Sequence, residues 1–335
     1  MKVGVLQFFS WPERRVAIET VYERALARIE VMDRSGFDAV WLAEHHFHSF
    51  SVCPSVHMMG VQVAARTRRL RIGTAVSLAA FYHPLRLAEE VALLDVLSGG
   101  RVNWGAGRGF ERTEFAAFGV PQDESAARFQ EAVDIVLRAW TTDRLTYEGR
   151  WFRCEGIELL PKPLQRPHPP VWLAASSPDA IRRAAAAGFT IMMDPHSTHR
   201  EIAGKRELYR TALEAAGGSL AGREIPMARL LAIAPTRREA EETARRGARW
   251  LVGSYAGPQH QSMTGVVGFG VAAGAAAVDP VERYLDGVIL WGTPDAVVDE
   301  ITRLREEMFL DYLLCAPLGH ETFVLFTDQV LPRIA

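Results

Sequence analysis

Glu44-His45-His46-Phe47-His48 gathers a carboxyl group and three imidazoles directly after the apolar run Phe37–Ala43. The cluster therefore stands where a buried strand runs out. In parallel α/β folds, catalytic groups collect at that carboxyl edge of the sheet. Imidazole is also the side chain that exchanges a proton most easily near neutral pH. In extended chain alternate side chains face opposite ways, so His45 points away from Glu44, His46 and His48. Acid–base chemistry is the first reading. Metal binding is its rival, because His46-x-His48 has a spacing that metallohydrolases use. Such a site needs ligands from other strand ends. Those ends, Ala75-Val76, Ala106-Gly107 and Ala175-Ser176, supply none.

Two further clusters could hold an anion. Gly105-Ala106-Gly107-Arg108-Gly109 resembles a dinucleotide fingerprint but lacks its last glycine, since Phe110 stands in that position. It still offers close backbone approach and one forked, permanently charged guanidinium, which suits a pair of phosphate oxygens. In Ser176-Ser177-Pro178-Asp179-Ala180, Ser177 is placed as an N-cap with Pro178 at the first helical position. The free amides and positive dipole end of that helix favour a negative charge, although Asp179 opposes one.

These groups need a scaffold of alternating strands and helices. Strands are expected at Val3–Phe8, Phe37–Ala43, Leu70–Val76, Arg101–Ala106, Pro170–Ala175, Thr190–Met193, Met227–Ile233 and Asp311–Cys315. Ile18, Val21, Tyr22, Ala25, Leu26, Ile29 and Met32 recur at helical spacing, and Gly36 can end that helix. Further helices are expected from Pro84 to Ser98, over Glu124–Trp140, from Pro178, and over Asp295–Met308. Eight strands interleaved with helices in one chain favour an α/β fold of the (β/α)₈ TIM-barrel type. Leu145–Leu160 alternates around Glu148-Gly149 and reads as an inserted hairpin. The glycine-rich stretch 253–278 reads either as a mobile loop or as disorder.

Composition narrows the function classes. The 335 residues are 48% hydrophobic and 23% charged with a formal net charge of −2, so neither nucleic acid nor an anionic membrane is an expected partner. Cys53, Cys154 and Cys315 lack CxxC spacing and read as reduced thiols of a cytoplasmic protein. Met1–Phe8 starts as a strand without a signal-peptide pattern.

The chain resembles the bacterial-luciferase-like flavin monooxygenases along essentially its whole length. The resemblance is carried by Met1-Lys2-Val3-Gly4, Glu44-His45-His46-Phe47, Gly73-Thr74-Ala75-Val76, His83-Pro84, Leu94-Asp95-Val96-Leu97-Ser98-Gly99-Gly100-Arg101 and Gly107-Arg108-Gly109. It implies a single TIM-barrel domain over 1–335 that binds reduced FMN, supplied by a separate reductase. It also implies reaction with O₂ through a C4a-hydroperoxide that oxygenates a small aldehyde, ketone or similar molecule. By the same resemblance His45 is the catalytic imidazole, and Arg108, Ser176 and Ser177 hold the FMN phosphate. Ala75-Val76 matches a non-proline cis peptide beneath the isoalloxazine, with Gly107 beside it. The stretch 253–278 matches a loop over the site, and relatives form dimers through their first helices. Phe8, Trp41, Phe47, Phe81, Met192 and Met193 are candidates to line the pocket.

Three departures from the family pattern stand out. Gly107 replaces the reactive cysteine of light-emitting members. Ala126 replaces a second phosphate-binding arginine, with Arg128 a turn away, and Ala180 replaces a helix-start threonine. Rival readings are a deazaflavin-dependent hydride-transfer enzyme, a metal-dependent hydrolase on His46 and His48, and a non-catalytic flavin-binding subunit.

Overall fold

Alternating apolar runs and amphipathic segments fold into the expected strand–helix succession. The structure is a computed structural model that describes residues 1–255 and 279–335, so most of the stretch 253–278 lies outside the described residues. The chain opens with β1 (Lys2–Gln7), buried from Val3 onward, and α1 (Ile18–Arg34), whose helical stripe buries Val21, Ala25, Ile29 and Met32. Next come β2 (Ala39–Leu42), α2 (Val56–Arg66), β3 (Arg71–Thr74), the short β4 (Ser77–Leu78) and α3 (Pro84–Ser98). Pro84 stands at the start of α3, and Gly99 closes it in the left-handed conformation at φ 70°.

β5 (Val102–Gly107) leads into α4 (Arg112–Ala117) and α5 (Ser125–Thr141). β6 (Leu145–Glu148) and β7 (Arg153–Ile157) pair antiparallel as a hairpin in the stretch read as an insertion. The remainder of the described chain includes β8 (Val171–Ala174), α6 (Pro178–Ala186), β9 (Thr190–Met192), α7 (His199–Ala215), β10 (Pro226–Ile233) and α8 (Arg237–Tyr255). It closes through α9 (Pro280–Gly287), β11 (Ile289–Gly292), α10 (Pro294–Met308) and β12 (Tyr312–Pro317), followed by short helical turns.

Two compact units make up the chain. Gln7–Ala174 forms one, and Met1–Leu6 joins Ala175–Ala335 in the other. In the first unit β2, β3, β5 and β8 pair side by side and parallel, with Trp41 opposite Gly73 and Ala106 opposite Leu173. Parallel pairing sends every carboxyl end to the same edge. A Cβ at Gly73 would lie 2.3 Å from the Trp41 ring, so the glycine lets that indole lie across its neighbour strand. Trp41 then meets Trp172 edge to face at 5.3 Å, which places it in the core rather than in a pocket lining.

In the second unit the parallel order is β11, β10, β12, β1. Two strands exceed those read from sequence. β4 is only two residues long, and β11 has the short run Ile289-Leu290-Trp291-Gly292. β10 is bridged to Met193 at Met227 and takes β11 as neighbour from Leu230 onward, so this strand is added partway along its partner. Met192 and Met193 are buried in this unit.

Candidate active site

The imidazole of His45 leaves the carboxyl end of β2 and enters an aromatic setting. Phe8 stacks near it at 6.4 Å, while Phe50 and Phe110 present edges at 5.3 and 6.1 Å. The His45 backbone N–H donates to the Cys53 carbonyl at 3.2 Å, which ties the loop back on itself. Glu114, a buried carboxylate on α4, completes the setting. Its Oε1 accepts the His46 backbone N–H at 2.9 Å and lies 3.7 Å from His45 Nδ1.

The alternation expected of extended chain holds for the first step and then fails. His46 shares a side with Glu44, and His46 Nε2 lies 3.1 Å from Glu44 Oε1. Phe47 then adopts a left-handed φ of 59° and stands exposed, so the alternation ends there. His48 turns away, and its Nδ1 accepts the Phe50 N–H at 3.0 Å. His46 and His48 thus have separate partners. Among the described residues no group of three or more His, Cys, Asp or Glu is arranged to hold a metal ion.

Glu44 is almost completely buried, and Tyr82 donates its hydroxyl to Glu44 Oε1 at 3.1 Å. Glu44 Oε2 is buried without a partner among the described residues. Burial, and then the negative charge of Glu44, push the Tyr82 phenol well above its ordinary range and the Cys53 thiol up to about 12. Beneath this layer His57 lies 3.0 Å from Glu90 and 2.9 Å from Ser77 on β4. The hydrogen bond from His57 outweighs burial and pulls the Glu90 carboxyl down to about 2.

At the end of β3 the Ala75–Val76 peptide is cis, as the family pattern implies. Gly107 ends β5 facing it, and a Cβ there would lie 2.3 Å from Val76 Cγ2, so any side chain would collide. Arg108 follows immediately, with Nη1 donating to Ser125 Oγ at 3.4 Å at the start of α5. Arg128, on that same helix, has Nε on Glu124 at 3.1 Å and its guanidinium over Trp151 at 5.2 Å. His45, Ala75, Val76, Gly107 and Arg108 therefore share one edge of the first unit.

Ser176 and Ser177 belong to the second unit. Ser177 caps α6 by accepting the Ala180 N–H at 3.3 Å, and Ser176 donates to Asp194 Oδ2 at 3.4 Å. Five residues of this site escaped the sequence reading: Glu114, Tyr82, Ser125, and the rings of Phe50 and Phe110 beside His45. Glu114 left only a faint signal, a carboxylate among Phe110, Phe115 and Phe118.

The model of the luciferase-like monooxygenases matches residues 1–311. The chain belongs to that family. Its fold is that of monooxygenase RslO1 from Streptomyces bottropensis, at 30% identity and a TM-score of 0.81, with both chains covered completely. Two more distant structures share the fold at 18% identity. One is the oxygenating constituent of 3,6-diketocamphane monooxygenase from Pseudomonas putida in complex with FMN (TM-score 0.79, 100% and 99% of the two chains). The other is an F420-dependent secondary alcohol dehydrogenase (TM-score 0.78, 100% and 99%). The oxygenase component of the flavin-dependent trigonelline monooxygenase of Acinetobacter baylyi is 29% identical over 177 residues, 52% of this chain and 49% of the relative. Matches to the first curated relatives span about half of their length.

The family's flavin fits what the residues offer. Gly107 is kept bare against Val76, an imidazole is ringed by aromatic side chains, and a guanidinium directly follows Gly107 at the same strand end. A flat, apolar ring system carrying a phosphate has matching chemistry.

Proposed function

We propose that the chain is the oxygenase component of a two-component flavin monooxygenase, folded as a (β/α)₈ barrel, that uses reduced FMN and O₂ to oxygenate a small apolar molecule such as an aldehyde or ketone. The observation that carries this reading is His45, held between the Glu114 carboxylate and the rings of Phe8, Phe50 and Phe110 on the edge that bears Gly107 and Arg108. Bound reduced FMN would supply the electrons that activate O₂ for transfer of one oxygen atom.

The chain's own residues have separable tasks. Glu114 Oε1 faces Nδ1 of the imidazole across 3.7 Å, and the His45 ring moves a proton to or from the reacting molecule. The aromatic rings exclude water from that proton. Glu44 and Tyr82 hold His46 in place behind it. Family resemblance assigns the FMN phosphate to Arg108, Ser176 and Ser177, and the isoalloxazine to Ala75, Val76 and Gly107. Gly107 lacks the thiol of the light-emitting members, which supports oxygenation without light.

The likeness to an oxygenase component supports a separate reductase as partner, and turnover on NADH without one would contradict this. A cytoplasmic homodimer is part of the same proposal. Met58 and Val61 on α2 and Leu93 and Leu97 on α3 are exposed apolar side chains suited to a second copy.

The test is His45→Ala. FMN binding, followed by quenching of flavin fluorescence, should persist, while product formation from reduced FMN, O₂ and a panel of aldehydes and ketones should vanish. Retained product formation would remove His45 from the chemistry. Substrate oxidation by F420 in the absence of O₂ would instead favour the deazaflavin reading, for which the F420-dependent neighbour speaks.

A further inference from the structure

We propose that Asp194 and Lys205 are positioning residues for Ser176, a charge-compensated mount that keeps this hydroxyl available to the phosphate of a flavin nucleotide. The inference rests on the assignment of Ser176 to that phosphate, and it concerns a cluster that lies wholly within the second unit.

Asp194 follows β9 and has a saturated carboxylate. Oδ1 accepts the backbone N–H of His196 at 3.0 Å and of Ser197 at 2.8 Å. Oδ2 receives the Lys205 ammonium at 2.7 Å, the Ser197 hydroxyl at 3.0 Å and the Ser176 hydroxyl at 3.4 Å. Lys205 also donates to Ser197 Oγ at 2.7 Å. Arg229, almost fully buried on β10, clamps the same loop by donating to the carbonyls of Ser197 at 2.7 Å and Asp194 at 3.0 Å. Burial alone would raise the Asp194 carboxyl, but Lys205, His196 and Arg229 outweigh it and keep the group ionised.

An ionised carboxylate against a phosphate-binding serine raises two difficulties. Like charges a few ångströms apart repel, strongly so away from bulk water. A serine hydroxyl also has a single proton, and given to Asp194 it is withheld from a phosphate oxygen. Lys205 answers both. Its ammonium cancels the charge, and it takes Oδ2 at a distance much shorter than the Ser176 contact. The Ser176 hydroxyl is thereby left with the weakest of the five hydrogen bonds to this carboxylate and can turn at small cost. Such compensation matters more where the family's second arginine and helix-start threonine are replaced by Ala126 and Ala180.

Dissociation constants for FMN and for riboflavin, which lacks the phosphate, test this in Ser176→Ala, Lys205→Met, Asp194→Asn and the Lys205→Met/Asp194→Asn double variant. Lys205→Met should weaken FMN about tenfold and riboflavin by less than about twofold. The double variant should recover most of the FMN affinity, because the unmasked charge has gone with its partner. Equal losses for FMN and riboflavin in Lys205→Met, or a double variant no better than Lys205→Met, would overturn the mount. If Ser176→Ala and Arg108→Ala each leave the FMN-to-riboflavin ratio unchanged, the phosphate assignment itself falls, and the mount with it.

Discussion

His45 draws its character from a residue 69 positions away in sequence, because Glu114 Oε1 lies against both its Nδ1 and the backbone N–H of His46. Glu114→Gln keeps an acceptor for the backbone amide but removes the charge facing the imidazole. It should lower kcat by about 10- to 100-fold with a smaller change in FMN affinity. A loss confined to FMN affinity would contradict a role for Glu114 at the imidazole. Gly107 makes a second residue-scale case. Gly107→Ala forces a Cβ into Val76 and should cost about 1–3 kcal/mol of stability, read as a lower urea midpoint, together with weaker flavin binding. The serine cap of α6 was legible from Ser177-Pro178 alone, because its chemistry is local. Glu114 was not, because burial beside His45 is decided by how α4 meets the segment after β2.

At the scale of elements, the β6–β7 hairpin is latched to α5 by two carboxylates: Glu124 takes the side chains of Arg150 and Trp151, both at 3.2 Å, and Glu131 takes the backbone of the turn. Glu131 accepts the backbone N–H groups of Arg150, Trp151 and Phe152, at 3.1, 3.1 and 2.9 Å. A Cβ on Gly149 would lie 2.0 Å from Glu131 Oε1, so the turn approaches the helix as closely as glycine permits. Arg128 and Arg150 stack on Trp151 above the latch. Glu131→Ala should destabilise the protein by about 1–2 kcal/mol and speed hydrogen exchange of Arg150, Trp151 and Phe152 ahead of the strands. Uniform exchange after the change would show that the latch does not hold the hairpin. Hairpin alternation is visible in sequence, but the docking of its turn is not, since Glu131 reads as one more polar position on a helix.

Across the whole molecule, His199 sets a pH dependence of stability. Burial first, then the positive charges of Arg229 and Arg303, lower its imidazole from 6.5 to about 3. The unfolded chain therefore binds a proton that the folded chain refuses between those values. Stability from this group is complete above pH 6.5 and is lost as pH falls toward 3. Urea midpoints should decline over that window, and His199→Gln should flatten the decline. An identical slope in the variant would exclude His199 as the source. Assembly belongs to this scale too. Replacing Leu93 and Leu97 by lysine should convert a homodimer into a monomer in sedimentation, and an unchanged mass would place any interface elsewhere.

Features that depend on neighbours in the chain were legible from residue order: strand and helix succession, the caps at Pro84, Ser177 and Gly99, and the strand ends that carry His45 and Arg108. Those follow from periodicity and backbone preference, which act within a few residues. Tertiary structure decided the partners. β11 was added at the edge of β10, His48 was turned away at Phe47, and Glu114, Tyr82 and Asp194 were brought to their imidazole, carboxylate and hydroxyl. Such contacts join residues far apart in sequence, and only burial and packing select them from the many polar side chains available.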